Sequence, residues 1–543
     1  LKSTSSAGSG HPTSCLSAAD MAAYLFTEHF QYDLKNPLNP NNDRFILSKG
    51  HASPLLYSLF GLSGAYPLTE TLSLRKDNSA FEGHPTPRFP YADAATGSLG
   101  QGLSIGAGMA WLAKQQQRDF KTYVLLGDGE LSEGQVWEAA NFASFYCLDN
   151  LVALLDVNRL AQSGESMFGH RVEEYEKRFS AFGFETMIID GHDFGQISEA
   201  FRKALNPSKG KPFAIVAKTI KGKGISFLED KPDWHGKALN DEQLEKALAE
   251  LDGLADETIT IRSPAKIPDG TMPAPQNAQP LKTYDKGSSH ATREVIGETL
   301  AAYGQHNHNL YVIDGDVKNS TYTMDFMQAF PERFIEGFIA EQNMVSVGVG
   351  LSRLGCIPVI STFGAFLTRA ADQVRMARVS KANLKFVGTH VGVSIGEDGP
   401  SQMALEDIAL FGAQPNTLIM QPAEATSAQK LCDVMLNHEG FVYMRALRPK
   451  TPVLYAQTEQ FEPGGSKILR QSTEDYLVIA ATGITVFEAL NACDKLKEQG
   501  IPVRVIDCYS ICPLDRETLI NSLNDSVMRT LITVEDHYTH GGF

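Results

Sequence analysis

The chain has 543 residues, which is more than a single hydrophobic core usually organises and predicts two or three domains. Its hydrophobic content of 43% and charged content of 21% are ordinary for a soluble globular protein. The formal net charge of −16 argues against nucleic acid or an anionic membrane as the main partner. A phosphorylated small molecule stays open as a ligand, because local basic groups decide its binding.

The seven cysteines are scattered and odd in number. The closest pair, Cys508 and Cys512, has a spacing that suits neither a zinc knuckle nor a redox CxxC motif, so we expect small core residues. No apolar run approaches the roughly 18 residues that a membrane span needs, and no signal peptide is visible. We therefore predict a cytoplasmic protein in a reducing compartment.

The segment from 122 to 220 alternates between apolar runs and amphipathic stretches. TYVLLGD and NLVALLDV predict buried strands, with the helical GQVWEAANFASFYC between them. FETMIID and PFAIVAKTI predict two further strands, and helices fill the intervals. This alternation is typical of a parallel, doubly wound α/β sheet.

A proline-rich stretch, residues 264–283, has the composition of a linker. After it the alternation restarts with NLYVIDGD, IPVISTF, LKFVGTH, TLIMQP and GFVYMRA. A second break near 451–472 precedes a third unit with the strands YLVIAATG, PVRVIDCYS and RTLITVED. We predict three α/β domains, at 1–263, 284–455 and 472–543, and the third is short enough to suggest a C-terminal truncation.

Asp128 and Asn158 follow consecutive predicted strands, at the sheet edge where doubly wound folds bind ligands. Carboxylate and amide oxygens suit Mg²⁺ or Ca²⁺, which keeps open positions for phosphate oxygens. GDG followed about thirty residues later by Asn resembles the metal–diphosphate signature of thiamine diphosphate enzymes. A GDG turn with an unrelated asparagine is the alternative interpretation.

Further loop motifs point to a polar, ligand-lined cleft. The stretch TGSLGQGLSIGAGMA (96–110) brings five glycines to a loop that enters a helix, which suits an anion or close helix packing. The AKTIKGKG stretch supplies positive charge at another strand end. An ordinary solvated loop is the alternative interpretation of this stretch. None of the loop histidines has the helical spacing of a zinc site. These histidines are His11, His51, His84, His235 and His390.

The chain closely resembles the transketolase family over its whole length. The motifs that carry the resemblance are GSGHP, DRFILSKGHAS, ATGSLGQGL, GDGELSEG, KPDWHGK, DGDVKNST, IAEQNMVSVGVG, STFGAF and GVSIGEDGPSQMALED. The Gln-Met after GEDGPS matches the animal-type pattern, and many microbial members carry a histidine in place of Gln402. The resemblance also implies that the N-terminal leading helix and part of the C-terminal domain are missing.

The resemblance implies thiamine diphosphate and Mg²⁺, with Ca²⁺ or another divalent cation as a substitute. Asp128, Asn158 and the carbonyl of Leu160 would bind the metal. The remaining cofactor-binding positions surround the diphosphate, thiazolium and pyrimidine. They are His51, Gly97, Leu99, Gly129, Asn158, Gln162, Lys218, Phe363, Phe366 and Gln402.

Glu341, in IAEQNM, matches the family acid that hydrogen-bonds the aminopyrimidine and promotes deprotonation of the thiazolium. That task needs a protonated carboxyl in a dry pocket, and the apolar neighbours of Glu341 fit it. A glutamate stabilised by a helix N-terminus is the plain alternative. Phe363 and Phe366 would pack on the pyrimidine ring, and one of them could be a core residue only.

The remaining matches concern the sugar. His11, His84 and His235 would shuttle protons and bind the donor ketose. The substrate-binding set at the cleft also includes arginines that can hold a phosphate. It is His11, His235, Arg293, Ser320, His390, Asp398 and Arg448. In this family the two halves of the cofactor site come from different subunits, so the resemblance implies a homodimer.

The activity implied is reversible transfer of a two-carbon ketol group from a ketose phosphate to an aldose phosphate, through a carbanion on the cofactor, in the pentose phosphate pathway. The sugar phosphates would be xylulose 5-phosphate and ribose 5-phosphate or close relatives. A deoxyxylulose-phosphate-synthase-like enzyme that decarboxylates pyruvate is the nearest alternative. A catalytically silent, transketolase-like regulatory protein is another, and it would need broken cofactor positions.

Overall fold

The computed structural model describes residues 1–251, 258–265 and 281–543. Most of the predicted 264–283 linker lies outside the described residues. The described chain forms two compact units. The first is built on the residues up to 265 together with Val349–Leu354 and Val379–Lys381, and the second holds the others from 281 onward.

The first unit is a parallel sheet flanked by helices. Its strands are β1 (Arg44–Leu47), β2 (Thr122–Gly127), β3 (Leu151–Val157), β4 (Glu185–Asp190) and β5 (Phe213–Lys218). Its helices are α1 (Lys2–Ala7), α2 (Pro12–Glu28), α3 (Ser53–Leu62), α4 (Gly102–Gln115), α5 (Gly134–Phe145), α6 (Val172–Ala181), α7 (Phe194–Ala204) and α8 (Asp241–Glu250). The strand order is β1-β2-β3-β5-β4, and every pairing in this sheet is parallel.

Alternating residues of β2 face opposite sides of this sheet. Tyr123 and Leu125 join the core cluster that contains α2, α3 and α7. Val124 meets α4, where a Cβ added at Gly106 would lie 2.5 Å from a Val124 methyl group. Because glycine stands there, α4 can pack closely on the sheet, and helices cover both faces.

The second unit contains a larger sheet and a smaller one. Its strands are β6 (Ser289–Ala291), β7 (Leu310–Asp314), β8 (Phe334–Glu336), β9 (Ile357–Phe363), β10 (Lys385–Thr389), β11 (Leu418–Met420), β12 (Val442–Arg445), β13 (Lys450–Pro452), β14 (Lys467–Arg470), β15 (Val478–Ala481), β16 (Arg504–Asp507), β17 (Ser510–Cys512) and β18 (Leu531–Val534). Its helices are α9 (Thr292–Gly304), α10 (Lys318–Thr321), α11 (Met324–Ala329), α12 (Glu341–Arg353), α13 (Ala371–Val379), α14 (Asp407–Gly412), α15 (Ala425–Asn437), α16 (Thr485–Glu498) and α17 (Arg516–Asp525).

The larger sheet has the order β17-β11-β12-β10-β9-β7-β8, and only its β11–β17 pairing is antiparallel. The smaller sheet, β14-β16-β15-β18, belongs to the C-terminal region. Strand β17 comes from that region as well, yet it pairs with β11 of the larger sheet. This pairing explains why the predicted second and third domains form one compact unit.

The predicted α/β class with mostly parallel sheets is confirmed. The long apolar runs became the central strands β2, β3, β5, β7, β9, β10 and β12. The strands β1, β6, β8, β13, β14 and β17, each of three or four residues, were not predicted. Among the described helices, none is long and apolar enough to cross a bilayer.

Candidate active site

The first group of site residues lies at the carboxyl ends of β2 and β3. The parallel register pairs Gly127 with Asp156, so Asp128 and Asn158 follow neighbouring strands at one sheet edge. Asp128 is buried, and its carboxylate accepts a hydrogen bond from Ser166 Oγ at 2.8 Å. Burial raises the pKa of Asp128, and the hydrogen bond from Ser166 offsets this only in part. A cation would be the natural partner for such a carboxylate.

Asn158 is oriented by Asp156. Its Nδ2 donates to Asp156 Oδ2 at 3.1 Å and to Ser17 Oγ at 3.2 Å, so the amide oxygen points away from the carboxylate. Asp156 is fully buried and forms an ion pair with buried Lys49. Although burial alone would raise the pKa of Asp156, the Lys49 ammonium and several hydrogen bonds hold it below its usual value.

The loop after β3 contributes a backbone carbonyl. Leu160 O accepts a hydrogen bond from Lys221 Nζ at 2.6 Å, and Gln162 is exposed in the turn that follows. Lys218, the predicted basic residue, is instead exposed at the end of β5. Its neighbour Thr219 donates to Asp156, and successive residues of an extended chain point in opposite directions. The lysine that contacts the loop after β3 is therefore Lys221 rather than Lys218.

The donor set fits a hard divalent cation. One carboxylate (Asp128), one amide oxygen (Asn158) and one carbonyl (Leu160) are ligand types that Mg²⁺ and Ca²⁺ take. The Leu160 carbonyl has a second lone pair beyond its bond to Lys221. Within the described part of the chain, no three His, Cys, Asp or Glu side chains come together as a metal site. Any cation here would depend on these mixed oxygen donors.

The glycine positions lie beside this edge. Gly97 and Leu99 are exposed in the loop before α4, and a Cβ at Gly97 would be 3.4 Å from the Cβ of His84. A Cβ at Gly129 would be 3.4 Å from the Cβ of Ala161. These contacts bring the predicted glycines next to the histidines and the β3 loop.

Glu130 connects these loops, a role that no sequence motif indicated. Its buried carboxylate accepts hydrogen bonds from Ser48 Oγ and from the N–H of Gly100, the latter at 2.8 Å. Burial raises the pKa of Glu130. Gly100 has a φ of 86°, a conformation that favours glycine. Glu130 thereby ties the histidine-bearing KGHAS loop to the glycine loop.

Four of the five loop histidines meet in one cluster. The His11 ring lies 5.1 Å from His51, 6.3 Å from His84 and 5.1 Å from His235, centroid to centroid. The His51 and His235 rings are 5.5 Å apart. These residues are widely separated in the sequence, so the fold alone brings them together.

The environment keeps these histidines uncharged. Burial, followed by neighbouring positive groups, lowers the pKa of His11 to about 3 and that of His235 to about 4. The pKa of His51 also falls well below its usual value, and that of His84 is lowered, in both cases mainly by burial. Neutral imidazoles can both donate and accept hydrogen bonds, which suits a ligand rich in hydroxyl groups.

One polar atom of this cluster fits a bound group. His11 Nδ1 is buried and has no hydrogen-bond partner among the described residues. Buried polar atoms are normally satisfied, so this nitrogen is suited to a hydrogen bond with a ligand. Lys221 adds positive charge beside the cluster, and its pKa falls to about 8, mainly through burial.

The second group of site residues lies in the second unit, where Glu341 and Phe366 line a cavity. Glu341, the first residue of α12, is 5% exposed, and its Oε2 has no hydrogen-bond partner in the described chain. The exposed Arg369 guanidinium lies 3.7 Å from this oxygen. The cavity has a volume of about 450 Å³. Its lining includes Gly315, Val317, Ile339, Glu341, Phe366 and Ser401.

The two predicted phenylalanines are arranged in a stack with a histidine. Phe366 lines the cavity, and its ring is nearly parallel to that of Phe363, with centroids 4.9 Å apart. Phe363 stacks on His390 at 3.8 Å. Phe366 is therefore placed to contact a planar ring in the cavity, while Phe363 supports both neighbours. A buried carboxyl group beside an aromatic wall fits an aminopyrimidine.

His390 connects the stack to Arg293. Arg293 NH1 donates to the Ser320 carbonyl at 2.6 Å and to His390 Nε2 at 3.2 Å. A guanidinium only donates, so Nε2 accepts and Nδ1 donates to Thr389 Oγ1 at 2.9 Å. Burial first, and then Arg293 and Arg448, lower the pKa of His390 to about 3.

Arg448 and Asp398 are in direct contact. Arg448 NH1 donates to Asp398 Oδ2 at 3.1 Å and to the Ile395 carbonyl at 2.7 Å, and its NH2 lies 3.2 Å from Glu397 Oε1. Gln402 ends a short 3₁₀ turn next to Ser401 of the cavity wall. The structure thus gathers the predicted residues into two groups, one in each unit.

Some residues of these groups gave little sequence signal. Lys49 and Asp156 form an ion pair across 107 positions, a pairing that only the sheet register creates. Ser166, which donates a hydrogen bond to Asp128, lies in a polar loop whose sequence does not distinguish it from other surface loops. Glu130 was visible inside GDGELSEG, but its contacts with two distant loops were not.

Three family models match the chain. "Transketolase, thiamine diphosphate binding domain" matches residues 1–271, "Transketolase, pyrimidine binding domain" matches 288–453, and "Transketolase, C-terminal domain" matches 465–543. The chain is 46% identical over 546 residues to transketolase-like protein 2 of Mus musculus. It is 44% identical over 552 residues to the transketolase of Homo sapiens. Each alignment covers 100% of the chain and 87% of the relative.

Solved structures show the same architecture. A transketolase from Campylobacter jejuni superposes with a TM-score of 0.87 at 28% identity, covering 99% of this chain and 90% of the other. A Pichia stipitis transketolase in complex with sedoheptulose 7-phosphate gives a TM-score of 0.87 at 25% identity, with coverage of 99% and 89%.

Proposed function

Because the chain belongs to the transketolase family, we propose that it catalyses reversible transfer of a two-carbon ketol group between sugar phosphates. The donor would be a ketose phosphate such as xylulose 5-phosphate, and the acceptor an aldose phosphate such as ribose 5-phosphate. The proposal includes thiamine diphosphate and Mg²⁺, or another divalent cation. The family and its thiamine diphosphate-binding domain are established by the matches, while the activity is our inference.

The single observation that carries this proposal is the cluster of His11, His51, His84 and His235. Burial and nearby cations keep the four rings neutral, so each can donate and accept hydrogen bonds with hydroxyl groups near pH 7. A ketose donor presents several hydroxyl groups to such a cluster. Pyruvate presents none, so an enzyme that only decarboxylates pyruvate would have little use for it.

The cofactor's diphosphate would be held at the β2 and β3 ends. Asp128, Asn158 Oδ1 and the Leu160 carbonyl would bind the cation that neutralises it, and Lys221 would add a second positive charge. Glu341 Oε2 would hold a proton against the aminopyrimidine ring, with Phe366 on the ring face. When bound, thiamine diphosphate supplies the carbon nucleophile that the side chains of this protein lack.

The sugar phosphate would be held by the arginines of the second unit. Arg448 and Arg293 offer guanidinium groups that can bind a phosphate with two hydrogen bonds. Asp398, in contact with Arg448, would accept a hydrogen bond from a sugar hydroxyl, and neutral His390 would hold the Arg293 guanidinium at the site through its Nε2. The Pichia stipitis relative, solved with sedoheptulose 7-phosphate, supports a phosphorylated sugar as ligand.

We extend the proposal to a cytoplasmic homodimer that acts in the pentose phosphate pathway. The resemblance implies that each active site draws on both subunits. We also keep the domain boundaries 1–263, 284–455 and 472–543 as a proposal. The family models end at 271, 453 and 543, close to these positions.

The test is an assay of the purified apo-protein. Xylulose 5-phosphate and ribose 5-phosphate would be supplied with thiamine diphosphate and Mg²⁺ together, with each alone, and with neither. We expect sedoheptulose 7-phosphate to form only with both. Pyruvate in place of the donor is the matched control, because turnover of pyruvate would favour the decarboxylating relative. Binding of cofactor with no turnover of any donor would favour a silent, regulatory member.

A further inference from the structure

A loop of the second unit, residues 392–399, lies between two proposed substrate residues. His390 precedes it and Asp398 lies within it. Its first residue is fixed by a hydrogen bond from Gly392 N to the Ala404 carbonyl at 2.9 Å. Strand β10 already ends at Thr389, so other contacts must fix the course of the loop after Gly392.

One such contact comes from the C-terminal region. Asp536, which follows β18, is 5% exposed, and its Oδ1 accepts a hydrogen bond from Val393 N at 2.8 Å. A Cβ added at Gly392 would lie 1.7 Å from Asp536 Oδ2, so the carboxylate rests directly on this glycine. Gly392 also has a φ of 73°. Any larger residue at position 392 would be strained and would collide with Asp536.

Asp536 is itself held firmly. Buried Arg445 forms a two-pronged ion pair with Asp407, through Nε at 2.7 Å and NH2 at 3.1 Å. The same NH2 donates to the backbone carbonyls of Asp536 and Ala404, each at 3.1 Å. One guanidinium therefore fixes the backbone on both sides of the Asp536–loop contact.

The far end of the loop contacts Arg448. Its NH1 donates to the Ile395 carbonyl at 2.7 Å and to Asp398 Oδ2 at 3.1 Å. The loop thus runs from the Asp536 carboxylate to the Arg448 guanidinium within a few residues. A shift of Val393 would move Ile395 and Asp398, and with them the position of Arg448.

We propose that Asp536 is a positioning residue of the C-terminal domain, which sets the 392–399 loop so that Asp398 and Arg448 are placed for a phosphorylated sugar. Asp536 does not contact the ligand, because its carboxylate is buried against Gly392 and Val393. Its negative charge would repel a phosphate in any direct contact. This inference rests on the proposed function of Arg448 and Asp398, and it assigns a role to a region outside both groups of site residues.

The experiment compares Asp536→Ala, Asp536→Asn and Asp475→Ala in the full-length protein. Asp475 is the matched control: it is equally buried in the C-terminal region and binds Arg504 at 2.9 Å, with no contact to the loop among its hydrogen bonds and ion pairs. Two quantities are measured for each variant. The first is hydrogen–deuterium exchange of the 392–399 amides without cofactor or sugar. The second is KM and kcat with xylulose 5-phosphate and with the unphosphorylated donor hydroxypyruvate.

We expect Asp536→Ala to accelerate exchange at Val393 and its loop neighbours, and to raise KM for xylulose 5-phosphate roughly tenfold, as the loss of one buried hydrogen bond to a charged group allows. The kcat with hydroxypyruvate should change by less than about twofold, since this donor carries no phosphate for Arg448 to bind. Asp536→Asn keeps an acceptor oxygen, so loop exchange and KM for xylulose 5-phosphate should both stay close to their wild-type values. Asp475→Ala should leave loop exchange and the KM ratio at wild-type values.

Wild-type exchange at Val393 in Asp536→Ala would overturn the inference. The same KM change in Asp475→Ala would also overturn it, since the effect would then be general destabilisation. Absence of any ketol transfer by the wild type would instead refute the proposed function. In that case the exchange data alone decide whether Asp536 sets the loop.

Discussion

Lys221 Nζ lies 2.7 Å from His235 Nδ1. An ammonium group can only donate, so Nδ1 must accept and the ring carries its proton on Nε2. The His235 ring lies 5.1 Å from His11 and 5.5 Å from His51. Lys221 therefore fixes the tautomer of one member of the histidine cluster and, through Leu160, contacts the proposed cation site as well.

Asp128→Ala should abolish cation-dependent binding of thiamine diphosphate while the protein stays folded, because the diphosphate loses its bridging cation. Isothermal titration calorimetry with and without Mg²⁺ measures this directly. Asp119→Ala is the control, since this exposed carboxylate precedes β2 whereas Asp128 follows it. Unchanged affinity in Asp128→Ala would remove Asp128 from the cation site.

Glu341→Ala should still bind thiamine diphosphate, because the diphosphate contacts are intact. Exchange of the cofactor's thiazolium C2 proton for deuterium should slow by more than the roughly 10²–10⁴-fold usual for one acid–base group. Glu341→Gln keeps a hydrogen bond but cannot transfer a proton, so its rate of C2 proton exchange should also fall strongly. NMR on quenched samples gives the rate. Wild-type exchange in the alanine variant would exclude Glu341 from proton transfer.

Arg448→Ala and Arg293→Ala should each raise KM for xylulose 5-phosphate far more than KM for hydroxypyruvate. A lost charge-assisted hydrogen bond is worth roughly 1.5–3 kcal/mol, or about 10- to 100-fold in KM. Steady-state kinetics with both donors separates the two effects. If KM rises equally for both donors, the contacts of these arginines with Ile395 and Ser320 are structural, and the arginines do not bind the phosphate.

Lys49→Met should lower the free energy of unfolding by about 3–5 kcal/mol, because it leaves the Asp156 carboxylate buried without its partner. Chemical denaturation at pH 7 measures the loss. Lys177→Met is the control, since its ion pair with Glu174 is exposed and should contribute less than about 1 kcal/mol. Similar losses of unfolding free energy in both variants would show that the buried ion pair contributes no more to stability than the exposed one.

The free energy of unfolding should fall as the pH drops from about 6.5 toward 4. The pKa of His11 is lowered to about 3 by burial, so the unfolded chain binds a proton in this range and the folded chain does not. Stability from a neutral His11 is thus present at pH 7 and is lost on acidification. The charged or titratable groups that face His11 are His51, His84, His235, Arg75 and Lys221.

Denaturation of His11→Gln at pH 7 and pH 5 checks this prediction. The variant should lose less stability between the two pH values than the wild type does. His540→Gln, at an exposed position, serves as the control. An equal loss in His11→Gln and wild type would mean that His11 does not contribute to the acid sensitivity.

Much of the fold was predictable because long apolar runs such as TYVLLGD leave few alternatives to a buried strand. Asp128 and Asn158 were predictable from the parallel order of their strands. The choice between Lys218 and Lys221 was not, because it depends on which residues of an extended segment face the sheet edge. The grouping of His11, His84 and His235 likewise needs the fold, since no local pattern relates a residue at 11 to one at 235. Family resemblance named these positions, and the contacts show why they can act together.

The pairing of β17 with β11 has a consequence for protein engineering. Two strands that share a sheet must keep their register, so residues 510–512 cannot be exchanged without regard to residues 419–420. A chimaera that is joined within the segment 453–465 therefore needs residues 510–512 of the other family member to fit residues 419–420 of this chain. A junction after β17 would keep that pair, but it would separate β15 from its partner β18. Residues 419–420 should therefore be exchanged together with the C-terminal region.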